Sequence, residues 1–452
     1  MGAAGNVLSH RARSLACAAL LACTAAAGRA QASVFEVAGA GARGVAEINA
    51  RAARADDGSA AFYNPGSLAF GRGWRLELAP THAVSSLQVQ DQVRSLDAPF
   101  GITVLADGTV PFTGVLADRV RIGFAGHLQP SAALRLVTRP FETPLFPYYD
   151  NRTQRLVAIP ALAVRITRWL GVGAGMNFLA GVAGPAEVQP GASGALESRI
   201  DEQARTVAAA NVGVRLDPAP GVRLGLVYRQ RFAIATDIQT TADIGGVALR
   251  VDVAARQALY DPDTLVLASS FDLGRTSLEL DAAYMVWSSY DGPFLALDAE
   301  LPGVAVATRV PAGLYRDVLS LRAAASHAWP LAADSTLWAR GGAGLETSML
   351  RGTRQGATNL VDGDKVLVGA GVDVRLGALL PVPLHLGLGV SAQVLVSTTQ
   401  TKVACRARPC APDTVVGPSA ADPSRDIDNP GFPELRASGV FWSGAASVGV
   451  EL

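Results

Sequence analysis

The chain has 452 residues, 39 basic and 39 acidic, and is 49% hydrophobic. A balanced charge of this kind excludes a polyanion-binding protein, which needs a basic field. The apolar content is high for a soluble chain, yet no segment reads as a membrane helix. Trp169 to Ala186 carries glycines at 171, 173, 175, 181 and 184, each costing about 1 kcal/mol against alanine in a helix, and Gly377 to Val396 contains Pro381 and Pro383.

Residues 1–32 have the form of a secretory signal. Arg11 and Arg13 give a basic start, Leu15 to Ala27 an apolar run, and Ala30-Gln31-Ala32 a small-residue cleavage site. Cleavage is expected after Ala32. Leu20-Leu21-Ala22-Cys23 offers a second parse, a lipoprotein box with Cys23 acylated. Three of the 39 basic residues and no acid leave with the signal, so the mature chain carries a net charge of −3.

Ser33–Gly71 is rich in Ala and Gly and ends in the turn Asn64-Pro65-Gly66, preceded by Phe62 and Tyr63. Pro65 fixes its own φ and pushes Asn64 towards extended backbone, while Gly66 permits positive φ. Beyond residue 71 the period is two. In Lys365–Leu376 one face is Val366, Val368, Ala370, Val372, Val374 and Leu376, and the other contains Gly369, Gly371, Asp373 and Arg375. The same split recurs in 222–234, 277–287 and 384–396. A soluble sandwich would bury large branched residues on one face and solvate the other. Here the second face is small or charged, which suits the crowded polar interior of a transmembrane barrel. Trp74, Trp169, Trp287, Tyr290, Trp329, Trp338 and Trp442 fall near segment ends, as interfacial girdles do.

Strands are expected at 72–84, 100–116, 119–130, 154–167, 170–183, 204–217, 221–236, 262–274, 275–290, 316–329, 334–348, 365–377, 382–398 and 437–452. The fold class is therefore all-β, a 14-stranded antiparallel transmembrane barrel spanning 72–452, with 33–71 as a plug in its lumen. Short turns, as at Gly274-Arg275, alternate with long connections at 131–153, 184–203, 291–315 and 399–436, which places the long ones outside the cell. By parity Arg223, Arg229, Arg231, Glu279, Asp281, Asp373 and Arg375 face the lumen, with His127 and His385. Their expected role is a network holding the plug.

Catalytic signatures are missing. Gly39-Ala40-Gly41-Ala42-Arg43-Gly44 satisfies G-x-G-x-x-G without the βαβ unit that a dinucleotide site needs. G-x-S-x-G, H-E-x-x-H and C-x-x-C do not occur. An enzyme is not expected, nor a cofactor or metal. A general diffusion porin is one alternative and an outer-membrane lipid hydrolase another. The plug argues against the first, and the missing nucleophile motif against the second.

The stretch GARGVAEINARAARADDGSAAFYNPGSLA (41–69) resembles the N-terminal hatch of the FadL family, outer-membrane channels for long-chain fatty acids and other hydrophobic compounds. The resemblance rests on Gly41, Gly44, Asp56, Asp57, Tyr63, Asn64, Pro65 and Gly66. Gly66 stands where the family usually has Ala, and Leu452 where such barrels usually end in Phe. The resemblance implies passive uptake of a hydrophobic small molecule by a plugged, monomeric channel, with the barrel-assembly machinery as a biogenesis partner. It also implies a lateral exit into outer-membrane lipid beside a kinked third strand. Gly123, Gly126 and Pro130 are the candidates for that kink, and Phe62, Tyr63, Asn64, Pro65 and Gly66 for the gate and ligand pocket.

Cys405 and Cys410 are the two cysteines left after signal removal, and both lie in the 399–436 connection of a secreted chain, where a disulfide is the default. Unreduced mature protein should therefore titrate no free thiol; two thiols would refute the bridge.

Overall fold

A computed structural model describes residues 34–90, 92–94, 100–129, 144–150, 156–183, 186–190, 196–200, 203–244, 247–292, 295–301, 304–307, 314–331, 334–351, 353–355, 359–377, 382–403 and 434–452. Cleavage after Ala32, Cys23, Pro130, Cys405 and Cys410 lie outside them.

Fourteen strands form the wall: β1 Arg75–Val89, β2 Phe100–Thr109, β3 Val120–Leu128, β4 Val157–Arg165, β5 Leu170–Ala183, β6 Gln203–Ala219 and β7 Val222–Arg229. They continue as β8 Thr264–Leu273, β9 Thr276–Met285, β10 Val318–Pro330, β11 Thr336–Glu346, β12 Lys365–Leu376, β13 Leu384–Val403 and β14 Glu434–Glu451. Each pairs antiparallel with the next, and β14 returns to β1 through Arg75↔Glu451 and its successors, so the sheet closes. Closure is what lipid demands, because an open edge would leave backbone N–H and C=O groups without partners. No helix among the described residues is long and apolar enough to cross a membrane; the strands do so.

The alternation has the expected sense. On β7, Leu224, Leu226 and Tyr228 are 40–45% exposed on the outer face. Glu279, Asp281 and Asp373 are buried on the inner face, as charge on the lipid side would cost about 2–4 kcal/mol at mid-depth. Arg229 joins Glu36 inside. Arg223 pairs with Asp272 and Arg375 with Glu451, both partly exposed. Arg231 departs from the expectation. The strand breaks at Gln230-Arg231, so parity lapses, and the Arg231 side chain is mostly exposed beside Asp263.

Two further expectations change. Trp287 and Tyr290 are not interfacial: both are buried, on a 3-10 turn (Trp287–Ser289) that follows β9 and at its end. The chain from Phe232 to Asp261, expected to be strand only as far as 236, forms a hairpin of two long strands, Phe232–Ile244 and Val247–Asp261. With Ala186–Pro190, Leu196–Ile200, Leu295–Leu301 and Val304–Ala307 it makes a separate six-stranded sheet. Three long connections leave the same rim of the barrel, so their backbones meet and pair. Such pairing between loops leaves no mark in the periodicity of any one of them.

A closed barrel of this construction should resist SDS at room temperature. Unboiled membrane fractions should show a faster-migrating band that shifts on boiling, and a soluble protein without that shift would refute the fold.

Candidate functional site

The N-terminal segment lies within the barrel and is buried along almost its whole length. It comprises α1 (Val34–Ala38), α2 (Gly41–Ala46), α3 (Ala60–Tyr63) and a 3-10 helix, Pro65–Phe70. None of these short helices is long enough to be stable alone, so side chains must tie them together. Asn49, at φ 66°, does much of this. Its Nδ2 donates to the carbonyls of Phe35 and Glu36, both at 2.9 Å, and its Oδ1 accepts from Tyr63 Oη at 2.6 Å. Tyr63 Oη in turn accepts from the Ala40 amide. One Asn–Tyr contact therefore joins α1, α2 and α3. The positive φ suits Asn better than most residues, but nothing in the sequence singled this Asn out.

Charge fastens the segment to one side of the wall. Glu47 is fully buried, and three guanidinium groups meet it: Arg51 at 2.6 Å, Arg54 at 2.6 Å and Arg340 of β11 at 2.9 Å. Asp57 is bound by Arg51 at 3.1 Å and Arg43 at 3.2 Å, and Arg43 also lies 3.7 Å from Asp373 of β12. From β9, Asp281 accepts from the amides of Arg51 and Ala52, and Glu279 from that of Ala53 at 2.7 Å. Burial alone would raise the Glu47 carboxyl, but Arg54, Arg340 and Arg51 overcome it and hold the group well below the usual carboxylate range. Asp57 follows the same pattern, burial being outweighed by Arg51, Arg43 and Arg75.

The Asn-Pro turn does a different job. Asn64 Oδ1 accepts from Gly66 N at 3.0 Å, closing the turn, while Nδ2 donates to Ala52 O at 2.7 Å and Val214 O of β6 at 3.0 Å. The turn presses on the wall at Gly213, where a Cβ would stand 2.1 Å from Asn64 Oδ1. The same contact accounts for Gly66, since a Cβ there would lie 2.6 Å from Gly213 O. Of the five gate candidates, Asn64, Pro65 and Gly66 thus anchor the segment to the wall. Phe62 and Tyr63 point the other way: Phe62 packs on Phe35 with centroids 5.3 Å apart and under Arg229 at 4.7 Å.

Of the third-strand candidates, Gly123 and Gly126 lie within the described residues and Pro130 does not. β3 pairs without a register shift with β2 from Arg121 to Leu128 and with β4 from Val120 to His127, so Gly123 and Gly126 do not interrupt either ladder. A Cβ on Gly123 would fall 2.7 Å from Leu68, which makes it a close-packing position. His127 is buried and bonded to Thr103 at 3.1 Å, and His385 reaches Arg43 and Glu451; both face inwards as parity required.

Above the segment lies an apolar cluster that sequence reasoning missed. The connection between β3 and β4 turns inwards through α4 (Pro147–Asp150) and crosses the barrel mouth, where Leu145 bridges Leu360 of the β11–β12 connection. Tyr149 stacks on Phe441 of β14 at 5.0 Å, and Tyr148 lies 6.1 Å from Trp287. Tyr260, Tyr290 and Tyr315 continue the cluster from the far rim. Lys365 is fully buried beneath it, 2.9 Å from Asp362 and 4.0 Å from the Tyr148 centroid. The one available signal was Phe146-Pro147-Tyr148-Tyr149, an aromatic run inside an otherwise polar connection. A second apolar cluster, with Phe35, Phe62, Val157 and Ile159, sits between the segment and β3–β4. The lumen is thus charged on its β9–β13 side, while its β3–β4 side combines this apolar cluster with His127 and the buried Arg121–Asp107 pair. Cavities beside Phe62 and beneath Tyr148 are about 10 Å³ each, room for about one water.

Solved structures share this fold. A Pseudomonas aeruginosa FadL homologue matches with a TM-score of 0.57 over 94% of this chain and 100% of its own, at 13% identity. The fold is that of the FadL channels. CymD, a monoaromatic hydrocarbon channel, matches at 0.52 over 93% of this chain and 99% of its own, with 12% identity. The Pseudomonas putida toluene transporter TodX matches at 0.51, over 93% and 98%, with 13% identity. No protein-family model and no curated sequence matches the chain.

Removing one member of the Glu47 cluster should loosen the hatch. Glu47→Gln leaves three arginines facing a neutral group, a loss of about 3–5 kcal/mol for a buried pair, and should raise the ion conductance of the reconstituted protein. Conductance at the wild-type level would refute a fastening role. Because folding lowers the pKa of Glu47 and Asp57, their contribution is complete above the unfolded value and withdrawn as pH falls towards the folded one. The loosening that protonation of Glu47 and Asp57 brings should therefore raise conductance only below about pH 4.

Proposed function

We propose that this chain is an outer-membrane channel for passive uptake of hydrophobic small molecules, long-chain fatty acids or aromatic hydrocarbons among them. In this reading residues 1–32 are a cleaved signal, 33–71 the hatch and 72–452 the barrel. The observation that carries it is the pairing of a filled lumen with a buried aromatic cluster at the mouth. Apolar solutes cross a saccharide surface poorly and gain nothing from a water-filled pore, since burial of apolar surface is favourable by roughly 25 cal/mol per Å². A cluster of Tyr148, Tyr149, Trp287 and Phe441 offers such a solute a first site. Below it, Phe35 and Phe62 offer a second, with Phe62 and Tyr63 as the gate and Asn64-Pro65-Gly66 as its fixed hinge.

That the FadL homologue, CymD and TodX share this fold supports the reading, and the latter two are described as a hydrocarbon channel and a toluene transporter. The filled lumen argues against a general diffusion porin. Cells with and without the gene should differ in uptake of labelled oleate or toluene, while small sugars should not pass through the reconstituted protein. Equal uptake of both solutes, together with free sugar passage, would replace this reading with the porin.

A further inference from the structure

We propose that the outer face of this barrel holds an acyl chain of a membrane lipid, in a groove that crosses β7 to β12. The inference does not depend on the uptake reading above. A closed sheet presents a convex outside, yet this wall carries an outward-facing groove of about 1020 Å³. That is the upper end of the roughly 300–1,000 Å³ of sites that take a whole small molecule. Its sides include Leu267, Leu280, Leu321 and Leu345, all 49–61% exposed. Its floor is small. Ala282 lies in the ladder between Leu267 and Leu321, and Ala323 between Leu280 and Ala343. Asp281 and Arg322, which lie along the groove, turn their side chains inwards, so the surface offered is apolar.

The hollow lies behind the place where the wall meets the hatch. Asp281, beside Ala282, accepts from the amides of Arg51 and Ala52. Arg322, between Leu321 and Ala323, reaches Glu36 at 3.5 Å. On the flanking strands a Cβ on Gly225 would stand 2.7 Å from Ala52 O, and one on Gly342 2.9 Å from the Glu47 carbonyl carbon. Main chain thus meets main chain on the inside of the same stretch. The groove also has length. It runs from Leu224, two residues into β7 from the short-turn end, to Leu345 and Val366, each one residue from the mouth end of its strand. An extended chain lying along the wall has this course.

Position names the occupant. The groove is continuous with the lipid-facing belt at Leu226, whose neighbour on the same face is Tyr228. Lipid tails are as apolar as leucine, so what holds a chain here is packing. A hollow left empty forfeits van der Waals contact. A chain lying in it touches floor and both sides, where a chain elsewhere on the belt touches one surface.

Such a chain should exchange slowly enough to survive extraction. Protein taken from outer membranes in a mild detergent should carry one lipid per barrel by native mass spectrometry. Ala282→Phe with Ala323→Phe fills the hollow and should lower the lipid-bound fraction about tenfold. Ala446→Phe, on the exposed face of β14 outside the groove, should leave it unchanged. The band that shifts on boiling establishes that each variant folds, and Ala343→Phe should act in the same direction where the double variant does not. Wild-type protein free of lipid, or equal lipid on the filled variant, would overturn the proposal. So would a wild-type dimer that the filled variant abolishes, which gives the groove to a second copy, or a free fatty acid in place of the lipid.

Discussion

Glu47 carries its charge in the middle of the lumen, out of reach of water, and the arrangement around it follows from that. A lone buried carboxylate would be prohibitive, so Arg51, Arg54 and Arg340 converge on it, and their own charges recruit Asp57, Glu279 and Asp373 in turn. Three of these links lie within the hatch, two tie it to β11 and β9 through Glu47–Arg340 and Arg54–Glu279, and Arg340–Asp373 ties β11 to β12. The cluster is weak evidence for net stability, since an apolar replacement could match it. What it supplies is orientation, because the hatch has one position in which every ion is matched.

The wall makes room for that position with small residues. Gly173, Gly213, Gly225, Gly342, Gly369 and Gly389, on β5, β6, β7, β11, β12 and β13, stand where the hatch passes close to the wall. A FadL-fold hatch is thus held by main chain against main chain, with charges between. Towards β3 and β4 an apolar cluster of Leu68, Phe35 and Phe62 is added, beside the buried Arg121–Asp107 pair.

The mouth repeats this division. The β3–β4 connection folds back over the lumen and meets the β11–β12 connection from strands eight places round the barrel. It brings Tyr148 and Tyr149 onto Trp287 and Phe441, residues separated by up to 293 positions in the chain. Three other connections pair above the rim as a separate sheet. The outer end of the molecule is therefore built from contacts between loops, where the inner end depends on the barrel ladder.

The sequence by itself determined the wall. Period-two alternation with a small or charged second face fixes strand number, the lipid side and the inward course of Glu279, Asp281 and Asp373, because each strand's two faces meet different solvents. It also determined the hatch turn, since Asn64-Pro65-Gly66 is local backbone chemistry. It did not determine what the turn is for. That Asn64 bonds to Val214 and Gly66 abuts Gly213 depends on residues about 150 positions away. Arg231 and Trp287 were misplaced for a related reason: each follows a break in its strand, and parity holds only while the ladder does. The aromatic cluster and the Glu47 ions were decided by tertiary structure alone, because each is a relation between strands or loops, and a periodicity describes one strand at a time.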